Sequence, residues 1–489
     1  MNKILLLLIS ISMVCCSNNT PEKMHWSLPD TKIDIDATKE VMTIDSDFFG
    51  VCPMFWQETD KYMADGKVEG YLKEMKCKFL RFPGGTESDN YIWQTNTLHN
   101  TNRWPNVQGG DEAMDIDEFM SLCNRLGAEP ILCVNTEIGI IENDYQKAVD
   151  LAVSWVQYCK DKGYGVTYWE IGNEPYYHYR FSASEYARLF VRMAKAMKEV
   201  DPNIKVAAVG EWNYQSKGKK DRVNPANWNL AGDMEWSVET QDGQYSSSQL
   251  SNLANYSKGS VWWNEVLKIA GNEIDIASIH WYYNLDELEN MKSLLDSLTA
   301  LFEPYQKNEK EIELFMTEWT LHESIETYGM ERALTVAEAI GKSLDGKVRK
   351  ATYWPLRCSG THDKKGLLDM TDEKNSHANY DVMKLFAQHI GTVRIPSNGE
   401  TELYHFSTKT EDGKIQVFLV NRTSKTVENT VNFNVEIKPK GKSWLLEAGD
   451  DKSNDKPLLV EENFTCEGTS FNVELPPYSL GVFVVETSL

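Results

Sequence analysis

Basic charge is scarce in this 489-residue sequence: Lys and Arg total 50 against 73 Asp and Glu, a formal net charge of −23. Nucleic-acid affinity depends on basic side chains displacing counterions from phosphates, so no nucleic-acid partner is expected. Beyond the N-terminus there is no run of the roughly 18 uninterrupted apolar residues that a membrane helix needs, and no such span is predicted. The nine cysteines contain no CxxC pair and the nine histidines no HExxH, so neither a zinc site nor a catalytic metal is expected, and no organic cofactor is called for. Away from Cys15 and Cys16, seven cysteines at 52, 77, 123, 133, 159, 358 and 466 are scattered through apolar segments and read as buried thiols rather than a disulfide frame. Internal repeats and long low-complexity linkers are also lacking. What is present, 41% hydrophobic and 25% charged residues, is the composition of an ordinary folded protein with room for one large core and a smaller one.

The N-terminus reads Met1-Asn2-Lys3, then apolar residues from Ile4 to Val14, then Cys15-Cys16-Ser17. One positive charge, a short apolar run and an abrupt polar turn describe an export signal. The two cysteines stand where a bacterial lipoprotein signal is cut, and this end resembles a lipobox with Cys15 or Cys16 lipidated; a cleaved soluble signal is the alternative. The expectation is an exported protein, lipid-anchored at the cell surface or in the periplasm, with no other membrane contact. Residues 1–16 are assigned to the signal.

From 47 to 391 short apolar runs alternate with helix-like stretches, the pattern of parallel strands joined by crossover helices. The strand candidates are Phe48–Met54, Lys78–Phe82, Pro130–Thr136, Thr167–Glu174, Lys205–Trp212, Ile274–Tyr283, Ile312–Trp319 and Lys350–Pro355. Apolar residues recur at helical spacing in Ile116–Leu126, Tyr145–Lys160, Ala183–Val200, Glu287–Tyr305 and Glu331–Leu344. Eight such units predict an α/β fold, a (β/α)8 TIM barrel, with the polar Asn213–Tyr256 loop beside its mouth. From 392 to 489 the pattern turns to alternating β segments, Leu403–Thr408, Ile415–Asn421, Thr430–Ile437, Ser443–Leu446 and Phe471–Glu486, predicting a C-terminal β-sandwich. Residues 17–46 include a β-like stretch, Lys32–Ile44, expected to pair with that sandwich.

A barrel works at the C-terminal ends of its strands. There the fourth candidate strand ends in Trp169-Glu170-Ile171-Gly172-Asn173-Glu174-Pro175 and the seventh in Met316-Thr317-Glu318-Trp319. Two strand-end carboxyls facing each other suit a retaining glycosidase, in which they stand about 5–5.5 Å apart, one protonating the leaving oxygen and the other attacking the anomeric carbon. The 15 Trp, 22 Tyr and 17 Phe offer flat amphipathic faces suited to sugar rings, although most aromatics in any chain are core.

Asn173-Glu174, Thr317-Glu318-Trp319 and the intervening Ser278-Ile279-His280-Trp281-Tyr282 resemble clan A retaining glycoside hydrolases, and within that clan most of all the α-L-arabinofuranosidase family. Leu80-Arg81-Phe82-Pro83-Gly84-Gly85, Asp117–Cys123, Gly127-Ala128-Glu129-Pro130 and Val134-Asn135 extend the resemblance over roughly residues 30–390. It implies Glu174 as general acid/base, Glu318 as nucleophile, Asn173 on a sugar hydroxyl, and His280 and Tyr282 beside them, with the tyrosine holding the nucleophile. Arg81 is open to two roles, binding a carboxylate or steadying Glu318, and Trp319 and Trp354 to two others, stacking platform or barrel packing.

The departures bear on the substrate. Arabinofuranosidases usually carry a Glu four residues after the first-strand Gly and an Asn after Pro-Gly-Gly; here those positions hold Met54 and Thr86. With two sugar-binding groups missing, the expected substrate is a pyranoside in plant or algal poly- or oligosaccharide, and an α-L-arabinofuranoside taken by a modified site is the alternative. Glu58, Glu87 and Asp89 are candidates for replacement contacts. A non-catalytic surface glycan-binding lipoprotein and a polysaccharide lyase are the readings from other classes; turnover of an aryl glycoside separates the first, an unsaturated product the second.

Overall fold

A computed structural model describes residues 31–99, 107, 109–142, 144–176, 181–212, 260–306, 311–358 and 365–488. The signal segment with Cys15 and Cys16, and the Asn213–Tyr256 loop, lie outside the described residues.

Eight parallel strands close into a barrel: β1 (Phe49–Val51), β2 (Phe79–Phe82), β3 (Glu129–Val134), β4 (Tyr168–Ile171), β5 (Lys205–Glu211), β6 (Ile276–Tyr283), β7 (Glu313–Leu321) and β8 (Val348–Tyr353). Each falls on one of the eight strand candidates. A helix of eight residues or more follows each strand: α1 (Lys67–Glu74), α2 (Ile116–Leu126), α3 (Tyr145–Lys162), α4 (Ala183–Val200), α5 (Ser260–Ala270), α6 (Leu285–Phe302), α7 (Gly329–Asp345) and α8 (Ala378–His389). Local sequence starts these helices where they are needed. Asp115, Ser182 and Asn284 each cap the helix that follows them and pair reciprocally with a glutamate three residues on, satisfying two otherwise orphaned donors. None of the described helices is long and apolar enough to cross a membrane.

Strand periodicity arranges the barrel interior in layers. Phe79, Ile131, Tyr168, Ala207, Ile276 and Phe315 form an apolar plug in which Phe79, Tyr168 and Phe315 meet edge to face with centroids 5.4 to 5.7 Å apart. Two residues further along the same strands the inward positions are Arg81, Cys133, Glu170, Ser278 and Thr317, all buried. The plug therefore floors a dry polar layer, and the functional residues stand on that layer.

The C-terminal region packs two antiparallel-rich sheets over a second core containing Ile33, Val417, Leu419, Val431, Phe471 and Phe483. Lys32–Ile35 hydrogen-bonds between Ser397–Gly399 and Val427–Phe433, and Met42–Thr43 extends the larger sheet beside Val393–Ile395. Two sequence expectations need correction. Phe471–Glu486 is not one strand but two, Ser470–Leu475 and Ser479–Glu486, because Pro476 and Pro477 cannot donate to a ladder. Leu458–Thr465 gave no strand signal because it is an edge strand exposed along most of its length, with Leu458 at 61%.

Candidate active site

The site is built around Arg81, which is fully buried at the end of β2. Its Nε donates to Glu170 Oε2 at 2.6 Å, Nη1 to Glu318 Oε1 at 2.7 Å and to the Gly84 carbonyl at 2.6 Å, and Nη2 to Asn173 Oδ1 at 2.7 Å. One rigid fork of donors thus fixes three strand ends relative to one another. Burial works against the guanidinium charge, but Glu170 and Glu318 more than offset this and keep it firmly protonated. Of the two roles open to Arg81, the structure places it on Glu318. The expectation that it meets the ligand itself is corrected, since it lies under the site.

Glu170 holds Arg81 from below. Its other oxygen accepts from Ser278 Oγ at 2.5 Å and Thr317 Oγ1 at 2.6 Å. Burial pushes this carboxyl up, yet Arg81, His280 and Ser278 outweigh it and hold it well below the usual carboxylate range. Sequence reading passed over Glu170, Ser278 and Thr317. The signal was there: a carboxylate in Tyr168–Ile171 and a guanidinium in Phe79–Phe82 are lone charges in otherwise apolar barrel strands, and a dry interior requires such charges to pair. Glu170→Ala is expected to destabilise the fold by about 3–5 kcal/mol, the typical cost of removing one partner of a buried ion pair. Glu170→Gln preserves shape, so a smaller shift in the urea midpoint with a clear loss of kcat would mark it as a positioning residue.

Glu318 is gripped at both oxygens: Arg81 donates to Oε1, and Tyr282 Oη donates to Oε2 at 2.6 Å. A bulge explains its orientation. The β6–β7 register slips between Ile279 and His280, so that His280 pairs with Glu318 rather than Thr317, and both Thr317 and Glu318 reach the interior network. Trp319 is then turned outward. It is 1% exposed and lies edge-on to Tyr353, so as a stacking platform it is corrected to barrel packing. Trp354 is half-buried with its ring against Gly85, where a Cβ would come within 2.8 Å of it. That ring remains available as a platform.

Glu174 sits just beyond β4 in the left-handed region, at φ 45°. A non-glycine residue adopts that conformation only when its surroundings impose it, and here the turn is tied down on both sides. Asp89 accepts from the Asn173 backbone N–H at 2.9 Å and from Thr136 Oγ1 at 3.1 Å. Gly172 lies at φ 79°, where a Cβ would also strike Thr136. The turn presents Glu174 Oε1 to His280 Nδ1 at 3.1 Å and to Tyr176 Oη at 3.4 Å. Asn173 is 2% exposed, its amide orientation set by Arg81.

His280 lies between the carboxylates. Its Nδ1 is 3.1 Å from Glu174 and 3.5 Å from Glu318, and its Nε2 is 3.9 Å from Glu170. One ligand atom from each of Glu174, His280 and Glu318 lies within 4.8 Å of the others. That donor set, an imidazole between two carboxylates, is of a kind that can hold a cation, and a proton on the imidazole offsets part of its negative charge. Burial disfavours the imidazolium, while Glu318, Glu170 and Glu174 favour it and raise its pKa from 6.5 to about 10. Because the folded value lies above the unfolded one, this stabilisation is complete below pH 6.5 and is lost as pH rises through about 10. The expected slope is a loss of about 1.4 kcal/mol per pH unit for one proton. Urea midpoints measured across that window should fall in the parent protein and flatten in His280→Gln.

The replacement candidates separate. Glu58 is committed to Arg357 at 2.7 Å, and Asp89 is committed to the Glu174 turn. Glu87 stays beside Gly84 and Trp56.

An eight-stranded barrel with a β-sandwich, carrying paired strand-end carboxylates held by Arg, His and Tyr, has the architecture of the clan A glycoside hydrolases. Residues 71–249 match the family profile described as Alpha-L-arabinofuranosidase 1 domain. Alpha-L-arabinofuranosidase C of Emericella nidulans is 29% identical over 174 residues, 29% of this chain and 32% of that protein. Intracellular exo-alpha-(1->5)-L-arabinofuranosidase 1 of Bacillus subtilis is 28% identical over 172 residues, 30% of this chain and 32% of that one. The matched stretch thus spans about a third of the length of these relatives. In fold, an alpha-L-arabinofuranosidase from Thermotoga maritima in an arabinose complex superposes with a TM-score of 0.71 at 19% identity, over 93% of this chain and 100% of that one. In sequence over part of its length, and in fold over nearly all of it, the chain is similar to α-L-arabinofuranosidases.

Proposed function

We propose that this protein is a retaining glycoside hydrolase working by double displacement. The observation that carries the reading is the pair of carboxylates, with one oxygen of Glu174 and one of Glu318 within 4.8 Å. That proximity supports the close carboxyl spacing of retaining enzymes, about 5–5.5 Å, over the wider one of inverting enzymes. Glu318, held at both oxygens by Arg81 and Tyr282, is aimed as the nucleophile that forms the glycosyl ester. In the substrate complex Glu174 gives a proton to the leaving oxygen, and the charge on Glu318 beside it favours the protonated form that this step requires. Once Glu318 is esterified its charge is gone, so Glu174 ionises and takes a proton from the incoming water. Asn173 binds a hydroxyl of the same sugar, and Trp354 supplies the apolar face.

The sugar favoured by the comparisons is α-L-arabinofuranose, since the profile match and both curated relatives bear that name. A pyranoside of plant or algal origin is the second reading, and a specific observation supports it. Met54 is 4% exposed, with its Cγ 3.5 Å from where a Gly84 Cβ would stand, so a thioether occupies the place where the family usually has a carboxylate. A screen of nitrophenyl α-L-arabinofuranoside, β-D-xyloside, β-D-glucoside, β-D-galactoside and β-D-glucuronide beside plant and algal polysaccharides decides between them. Release of nitrophenol from the arabinofuranoside supports the first reading; hydrolysis confined to a pyranoside or a polymer supports the second. No turnover of any of them contradicts the enzyme and leaves a glycan binder. Export through the N-terminal segment with a lipid on Cys15 or Cys16 is part of the proposal, and labelling with a fatty-acid analogue tests it.

A further inference from the structure

Among the carboxylates near the site, Glu87 has no part in the chemistry above and is held by its own turn and by Trp56. It lies on the short turn Thr86–Asn90 directly after Gly84-Gly85, with 7% exposure. Its Oε1 accepts from the Trp56 indole N–H at 3.2 Å, and its Oε2 lies 3.6 Å from where a Gly84 Cβ would stand. Gly84 is the same residue whose carbonyl accepts from Arg81, and Gly85 is the one covered by Trp354. Glu87 therefore lies beside the turn that supports the nucleophile, on the indole N–H of half-buried Trp56, while half-buried Trp354 covers the adjacent Gly85. A carboxylate offers about four acceptor positions; the Trp56 indole and the backbone N–H groups of Gly85 and Glu87 take three, which leaves room for one more donor. Paired with aromatic faces, such an acceptor is how a protein grips the edge of a sugar ring. The direct neighbours of the site are rich in negative charge, with Glu87, Glu170, Glu174 and Glu318 set against Arg81 and His280. Arg81 spends its donors on Glu170, Glu318, Gly84 and Asn173, leaving no fork for a carboxylated sugar.

Resting on the glycosidase reading, we propose that Glu87 is a substrate-binding residue that accepts a hydroxyl of a neutral sugar in the site and, by its charge, rejects a uronic acid there. It takes over at a new sequence position the grip that Met54 and Thr86 do not provide.

The test measures binding apart from turnover. Phenyl thioglycosides, which resist hydrolysis, of L-arabinofuranose, D-xylose, D-galactose, D-glucose and D-glucuronic acid are titrated into the full chain by tryptophan fluorescence, alongside Glu87→Gln and Glu87→Ala. The expected result is binding of a neutral sugar that weakens about 10- to 150-fold in Glu87→Ala, the range for one hydrogen bond to a charged group. Glu87→Gln, which keeps size and an acceptor, should retain more of the neutral-sugar affinity and gain affinity for the glucuronide. A merely structural residue would not shift that ratio. A parent protein that binds the glucuronide as well as the neutral sugars, or binds none of them, overturns the proposal, as does unchanged selectivity in both variants. Glu87-dependent binding without turnover of the nitrophenyl panel would sink the enzyme reading and leave Glu87 in place; turnover with Glu87-independent binding would do the reverse.

Discussion

Glu318→Gln is expected to abolish turnover of every glycoside the protein accepts, by about ten-thousandfold or more, whatever the leaving group. The amide has the same shape, so Tyr282 and Arg81 still enclose it, but it cannot attack the anomeric carbon and no ester forms. Arg81 would also be left with only Glu170 as a charged partner, so part of the stability conferred by the buried pair should be lost. Measuring kcat/KM on both an activated and an unactivated glycoside, beside the urea midpoint, separates lost chemistry from lost fold. Normal turnover on either substrate would remove Glu318 from the role assigned to it.

Glu174→Ala should behave differently, because its role depends on how much help the leaving group needs. With a poor leaving group such as a sugar, loss of the acid should cost about 10²- to 10⁴-fold. With a dinitrophenyl leaving group the first step needs little protonation, so the ester on Glu318 should form and then accumulate for want of a base to activate water. Azide, small, anionic and in no need of a base, should enter the space left by the carboxyl and restore turnover of the activated substrate, giving a glycosyl azide of retained configuration. An equal loss on both substrates without azide rescue would mean that Glu174 does not act as acid/base. The strained φ of 45° at Glu174 also bears on this variant, since alanine must hold the same backbone, with Asp89, Thr136 and Gly172 supporting the turn. A melting curve beside the kinetics therefore belongs to the test.

Much of this arrangement was legible in the sequence because it follows from strand periodicity. Alternation puts Arg81, Glu170 and Ser278 two residues above the apolar plug, and the end of β4 puts Glu174 at the barrel mouth. What was not legible arises where periodicity breaks. The slip of register by one residue near Ile279 and His280 reverses the facing of Glu318 and Trp319, and no local feature of Met316-Thr317-Glu318-Trp319 announces it. Asp89 and Glu87, two residues apart on one turn, look alike in sequence. Only the fold shows one bound to the Glu174 turn and the other beside Trp56 and Gly84. The edge strand Leu458–Thr465 was missed for the opposite reason: exposed along most of its length, it has no buried face to impose alternation.

The most direct measurement of the central claim is the mass of the Glu174→Ala protein quenched during turnover of a dinitrophenyl glycoside, followed by peptide mapping. The double-displacement account predicts one added glycosyl residue, carried by the peptide that contains Glu318. An unmodified protein during steady turnover, a sugar carried on another residue, or a product of inverted anomeric configuration would contradict it.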